Sequence, residues 1–211
     1  SRSRALQLGS DDPCAEELVG QVFKDPHLAF AHGGRADFRG ENGKYYAFLS
    51  APGFAVNVRT EDATFTLHGG KLTVHGSFIT EAHVVAQMGP RMAKVSFWAS
   101  ELDEHNWGWK IIDGTCAGRA FKFGRRGAKQ CMDLSMRMEA STATFELRGW
   151  TVSIAGNFVY GWIDGPKHRI DISIAARDGA AARDLPHGLV GQSASPPARS
   201  LCGSCPPRSS H

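Results

Sequence analysis

The sequence has no unbroken apolar run of about 18 residues, so no stretch of it reads as a membrane-spanning helix. It has no Asn-x-Ser/Thr sequon, no His-Glu-x-x-His, no Gly-x-Ser-x-Gly elbow and no glycine-rich phosphate loop ending in Lys-Ser/Thr. Those absences remove the usual signatures of N-glycosylation, zinc proteolysis, serine hydrolysis and nucleotide binding. Strong charge of one sign is missing too. The 211 residues carry a net +3. Setting aside Arg2, Arg4, Asp11, Asp12, Arg199 and Arg208 in the polar ends leaves 20 basic and 19 acidic side chains. No basic stripe with interleaved aromatics remains, which argues against nucleic acid as a partner. Residues 1–12 lack the apolar stretch of a secretory leader. Helical signals are few: a short helix over Pro13–Gln21 with Asp12 as its cap, and one turn at Ala180–Arg183.

What the chain does have is strand pattern. A 42% hydrophobic share and 21% charge are ordinary for a globular protein, and a chain this long can bury a core without staples. Apolar segments are short and split by Gly, Asp and Asn. Tyr46–Leu49 reads as a strand. Phe54, Val56 and Val58 alternate with Ala55, Asn57 and Arg59, and Phe65 and Leu67 alternate with Thr64 and Thr66. His68-Gly69-Gly70-Lys71 has turn chemistry, and Leu72 and Val74 resume the alternation. Ser77–Gln87 and Ala93–Ala99 read as two further strands, with Gly76 expected to break the register that would let His75 and His83 share a face. Asp164-Gly165-Pro166-Lys167 is a turn leading into the alternating Ile170, Ile172 and Ile174. The chain also echoes itself at an offset of 80 residues: Ala63–Gly69 (ATFTLHG) resembles Ala143–Gly149 (ATFELRG). That pair suggests two related hairpins in two stacked sheets, or two hairpins alike by composition. The expected fold class is mainly β, an antiparallel two-sheet sandwich of many short strands. Residues 1–13 are expected to be a flexible segment, 14–192 the β-rich domain, and 193–211 a Pro/Ser/Cys tail too poor in apolar residues to fold.

The five cysteines, Cys14, Cys116, Cys131, Cys202 and Cys205, cannot all pair internally. Cys116 and Cys131 flank a Gly- and Lys/Arg-rich segment. They are either two free thiols or a disulfide closing a loop of about 15 residues, worth about 3 kcal/mol of chain entropy. Cys202-Gly203-Ser204-Cys205 lies in the polar tail, without the strand and helix that tune a redox pair.

Two constellations could carry chemistry. Glu101, Asp103 and Glu104 sit beside His105 and among Trp98, Trp107 and Trp109. Aromatics beside carboxylates suit a glycan-binding platform or a glycosidase; the plainer reading is a solvated loop whose Trp rings cover a sheet edge. His27, His32 and His187 would form a zinc or iron centre only if the fold brought them together.

The most distinctive stretch is Asp25-Pro26-His27-Leu28, followed by Asp37-Phe38-Arg39-Gly40 and the aromatic strand Tyr45-Tyr46-Ala47-Phe48-Leu49, with Gly188-Leu189-Val190-Gly191-Gln192 near the other end. In type and order these segments resemble the opening and the close of a divergent von Willebrand factor type D domain, bracketing residues 25–192. The resemblance implies a VWD-like β-sandwich acting as a non-catalytic structural or interaction module, extracellular or at the cell surface. Its partners would be proteins or neighbouring domains of a larger chain. The alternative is a carbohydrate-binding or carbohydrate-acting sandwich using Trp98, Trp107 and Trp109, with glycans as partners. The family also holds calcium, which places Asp25 and His32 as candidate metal residues. Calcium takes six to eight oxygen ligands, and His32 and Gln192 stand where the family supplies acidic or amide oxygens. Val190 stands where it has a disulfide cysteine. Calcium is therefore the candidate cofactor, and none is assured.

Overall fold

The computed structural model describes residues 17–23, 27–30, 35–102, 112–124, 126–158, 163–177, 180–184 and 186–189. Fifteen strands appear among them in chain order: β1 (Glu17–Phe23), β2 (His27–Phe30), β3 (Arg35–Asp37), β4 (Tyr45–Ala51), β5 (Phe54–Leu67), β6 (Leu72–Met88), β7 (Arg91–Trp98), β8 (Ile112–Cys116), β9 (Arg119–Phe123), β10 (Ala128–Cys131), β11 (Leu134–Glu139), β12 (Thr142–Leu147), β13 (Trp150–Phe158), β14 (Ile163–Asp164) and β15 (His168–Ala176). A short helix α1 (Ala180–Asp184) and a 3-10 turn (Ala99–Glu101) accompany them. All pairings are antiparallel. An eight-stranded sheet runs β10-β11-β12-β13-β15-β1-β2-β3, and a seven-stranded sheet runs β14-β5-β6-β7-β8-β9, with β4 also paired to β5. The two sheets pack face to face as a sandwich, as the alternation in the sequence leads one to expect.

The core follows from period-two patterning: the inward residues of each sheet are apolar and fully covered. Val56, Val58, Ala82, Val84, Val95 and Phe97 line the seven-stranded sheet; Met136, Met138, Phe145, Val152, Ile154, Ile172 and Ile174 line the other. Trp150 is the largest of the fully buried side chains, and its indole Nε1–H donates to Asp184 Oδ2 of α1 at 2.8 Å. The two echoing segments form the β5–β6 and β12–β13 hairpins, one in each sheet. Both turn through residues of positive φ, His68 and Gly69 in the first, Arg148 and Gly149 in the second.

Two local expectations are corrected. Residues 17–21 are not helical. They belong to β1, which pairs on one side with β15 and on the other with β2, so both flanks supply ladder partners that outweigh a weak capping signal. Nor does Gly76 break the strand: Leu72–Met88 is one continuous strand, and Gly76 pairs in register with Ala63. The irregularity lies four residues later. Arg59 faces Glu81 while Thr60 faces Ile79, which leaves Thr80 as the extra residue of a β-bulge.

The cysteine alternatives resolve to a disulfide. Cys116 ends β8 in the seven-stranded sheet and Cys131 ends β10 at the margin of the eight-stranded one; their Cα atoms are 5.8 Å apart. The bond therefore ties the two sheets together at one border.

Candidate functional site

The outward positions of the seven-stranded sheet carry the chemistry. Register sets them in two adjoining rows. In the first, Tyr45 of β4 faces Arg59 of β5, Arg59 faces Glu81 of β6, and Glu81 faces Trp98 of β7. In the second, Asn57 faces His83, His83 faces Ser96, Ser96 faces Asp113, and Asp113 faces Lys122. Their chain neighbours Val58, Ala82 and Phe97 point the other way and are buried. Cross-strand neighbours on one face lie about 5 Å apart, so each row is a contact chain.

Glu81 is the hub. Its Oε1 accepts from Arg59 Nη1 at 2.9 Å, and its Oε2 accepts from the Tyr45 hydroxyl at 3.0 Å and faces His83 Nε2 at 3.1 Å. Arg59 Nη1 also donates to Glu61 Oε1 at 2.6 Å, and Thr80 donates to the same oxygen at 3.2 Å. Burial alone would push the Glu81 carboxyl up. The hydrogen bonds from His83, Tyr45 and Arg59, with the Arg59 charge, outweigh it and hold the group below the ordinary glutamate value. Burial and the bond to Glu81 push the Tyr45 phenol up, so it stays a donor. An ionised carboxylate only accepts. In the neutral ring of His83, Nε2 therefore carries the proton toward Glu81, and Nδ1 accepts from the Ser96 hydroxyl at 2.8 Å. The His83 ring lies edge-on to Trp98 (centroids 6.1 Å apart, planes at 80°) and 5.8 Å from the Tyr45 ring.

Ser96, His83 and Glu81 thus meet the distances of a nucleophile, base and orienting acid. Among the described residues, the backbone of β7 does not complete that design. At Ser96, β7 is paired on both sides, with β6 and β8, so its N–H groups are taken up by ladders and cannot converge on an oxyanion. What the arrangement offers is a face of fixed donors, acceptors and two aromatic rings.

Beside this face lies a cavity of about 220 Å³ lined by Arg59, Glu61, Thr80, Glu81, Pro166 and Lys167, among others. It opens where the bulge at Thr80 meets the turn that enters β15.

Of the residues singled out from sequence, Trp98 joins this site, and Cys116 and Cys131 form the disulfide. Asp25, His32, Trp107 and Trp109, with Asp103, Glu104 and His105, lie outside the described residues. His27 meets Asp37 across the β2–β3 pair, Nδ1 to Oδ1 at 2.7 Å, while His187 lies on a bridge to Ser50 of β4. Among the described residues no group of three or more His, Cys, Asp or Glu is placed to hold a metal. The sequence marks Tyr45 only as part of an aromatic strand and does not point to Arg59, Glu61, Glu81 or Ser96 as site residues. Their only signal is a polar or aromatic residue at the outward phase of an alternating strand.

Residues 187–189 meet β4. His187 and Ser50 exchange backbone hydrogen bonds at 2.8 Å, and Leu189 N–H donates to the Ala47 carbonyl at 2.9 Å. Phe38 packs edge-on against Tyr46 and Phe48, at 5.0 and 6.1 Å between centroids. Gly40 donates to Ser77 Oγ at 3.0 Å, where a Cβ would lie 2.3 Å from Thr60 Oγ1. Only glycine fits that approach. No protein-family profile, curated protein or solved structure matches the chain.

Proposed function

We propose that this chain is a non-catalytic interaction module of the extracellular space or cell surface, a divergent relative of the von Willebrand type D domain. It holds a protein partner, or a neighbouring domain of a larger chain, on the outer face of the seven-stranded sheet. The observation that carries this is the row Tyr45–Arg59–Glu81–Trp98, aromatic at both ends and ionic between, on a sheet face where Tyr45 is 60% exposed. Tyr, Trp and Arg are the residues in which interface energy concentrates. The disulfide supports an oxidising compartment. The meeting of the Asp37–Gly40 and His187–Leu189 segments on β4 supports the family reading. A photoreactive phenylalanine at Tyr45 tests the module reading on intact cells: protein adducts are expected there and not from the same group at Leu67 at the far hairpin tip. Equal adducts at both positions would sink it.

The same row favours a second reading, a carbohydrate-binding face. Two rings separated by a carboxylate and a guanidinium suit sugar rings, which stack on aromatics and offer hydroxyls to both charged groups. A glycan array compared with Trp98→Ala separates the readings: it is blank for a protein-binding face, and positive and Trp98-dependent for a glycan-binding one.

A further inference from the structure

We propose that the cavity beside the sheet face is a subsite for one neutral, hydroxyl-rich sugar ring, the end unit of a glycan; this rests on the carbohydrate reading above. The cavity is a product of local geometry. The extra residue at Thr80 bends β6 and turns Glu81 and the Thr80 hydroxyl toward one side. The opposite wall is the turn Asp164–Lys167, seated directly on β5: Gly165 has φ 129°, and a Cβ there would lie 2.6 Å from the Asp62 carbonyl oxygen. The space measures about 220 Å³. That suits a single ring better than a peptide.

Charge selects the chemistry of the occupant. Arg59 and Lys167 balance Glu61 and Glu81 around the cavity, with His168 adding no charge in its neutral form, so a ligand of net charge gains nothing from the site as a whole. A cation meets the guanidinium, an anion meets two carboxylates. Adjacent hydroxyls are matched, because each both donates and accepts. A carboxylate oxygen accepts hydrogen bonds from them, while Arg59 and the exposed Lys167 ammonium donate hydrogen bonds to them. Glu61 is held in place for this by Arg59 and Thr80 on one oxygen. Trp98 and Tyr45 flank Glu81 on the same face, so units preceding the end ring have aromatic surface to lie on.

The test uses the full chain on an array of neutral, sialylated and sulfated glycans, then saturation-transfer NMR with the best neutral hit. Three variants, each checked by circular dichroism, accompany it: Glu61→Gln, Lys167→Ala and Trp98→Ala. The wild type is expected to bind neutral glycans, with Glu61→Gln about tenfold weaker or more, as loss of a charge-assisted hydrogen bond requires. Lys167→Ala, at an exposed rim position, is expected to be several-fold weaker. Binding that depends on Trp98 but is unchanged in both Glu61→Gln and Lys167→Ala would leave the carbohydrate face standing and overturn the subsite. A preference for sialylated or sulfated glycans would overturn the neutral ligand. A blank array would remove the carbohydrate reading and this assignment together.

Discussion

The β5–β6 and β12–β13 hairpins begin from nearly the same seven residues and end in different environments. Ala63–Gly69 and Ala143–Gly149 share their alternation and a turn through a non-glycine residue of positive φ, His68 or Arg148, followed by Gly. At the tip of the second, Leu147 and Trp150 are 2% and 1% exposed; at the tip of the first, Leu67 and Leu72 are 42% and 48% exposed. The cause is the neighbours. β11 flanks β12 up to Glu146, and β15 flanks β13 as far as Trp150, which pairs with Ala176. By contrast β4 leaves β5 at Arg59 and β7 leaves β6 at Glu81, so beyond the bulge the two-residue β14 is the only strand among the described residues that runs alongside. Alternation decides which side chains share a face. Flanking strands decide whether that face becomes core.

The largest expected break in this comparison is Trp150→Ala. It opens a cavity at the tip of the buried hairpin and leaves Asp184 without its indole donor, so a loss of about 3–5 kcal/mol is expected in urea unfolding. A loss below about 1 kcal/mol would mean the tip is less enclosed than its 1% exposure states. Next comes the bond that joins the two sheets to which the hairpins belong. Replacing Cys116 and Cys131 by Ser releases a cross-link of sequence separation 15, expected to cost about 3 kcal/mol. An unchanged midpoint would show that the sheets hold that border without it.

The two turn glycines sharpen the contrast at a smaller scale. Gly69 has φ 67° with nothing within 4 Å of an added Cβ, whereas Gly149 has φ 86° with the Arg177 carbonyl oxygen at 2.8 Å. Gly69→Ala meets only the left-handed backbone penalty, about 1 kcal/mol. Gly149→Ala adds a clash with backbone that cannot move aside, so about twice that loss is expected. Equal losses in thermal unfolding would show that the turn, not its surroundings, sets the effect.

Each hairpin also leans on one carboxylate. Burial raises both Glu81 and Asp184, but hydrogen bonds outweigh it and lower them: from His83, Tyr45 and Arg59 at Glu81, and from Arg183 and Trp150 at Asp184. A lowered folded value means stability that is present above the unfolded value and is lost as pH falls through the folded one. For Glu81 that window opens below the ordinary glutamate value of about 4.3. Glu81→Gln is expected to flatten this acid limb and to cost about 1 kcal/mol or less at pH 7. An acid limb identical to that of the wild type would refute the role of Glu81.

Much of this architecture was legible in the residues. The alternation at Phe54–Val58 and Ile170–Ile174, the turn at His68–Lys71 and the echo at Ala143–Gly149 lead to a two-sheet antiparallel sandwich because period two and turn chemistry are local. Pro13–Gln21 misled because capping is also local, whereas β1 exists through ladders to β15 and β2 from the two ends of the chain. Gly76 misled because a small residue opposite Ala63 costs a long strand little, while the bulge at Thr80 has no side-chain signature. The site was legible only at Trp98. Tyr45, Arg59, Glu81 and Ser96 come from four strands, and register between distant strands is set by the whole sheet.

The smallest effect tests the comparison most directly. Leu67 and Leu72 face each other across the β5–β6 ladder, and both are largely exposed. Replacing both by Thr introduces β-branched side chains that suit a strand and removes apolar area that folding hardly covers. The pair of changes is expected to shift stability by no more than about 0.5 kcal/mol, the ordinary surface range. Leu147→Thr, at the matching position of the other hairpin, removes a side chain that is 2% exposed and places a hydroxyl in the core, so a loss of about 2 kcal/mol or more is expected. If both hairpins responded alike in urea titrations, burial by flanking strands would not be what separates them, and the tip of β5–β6 would have to be covered in solution by something it contacts there.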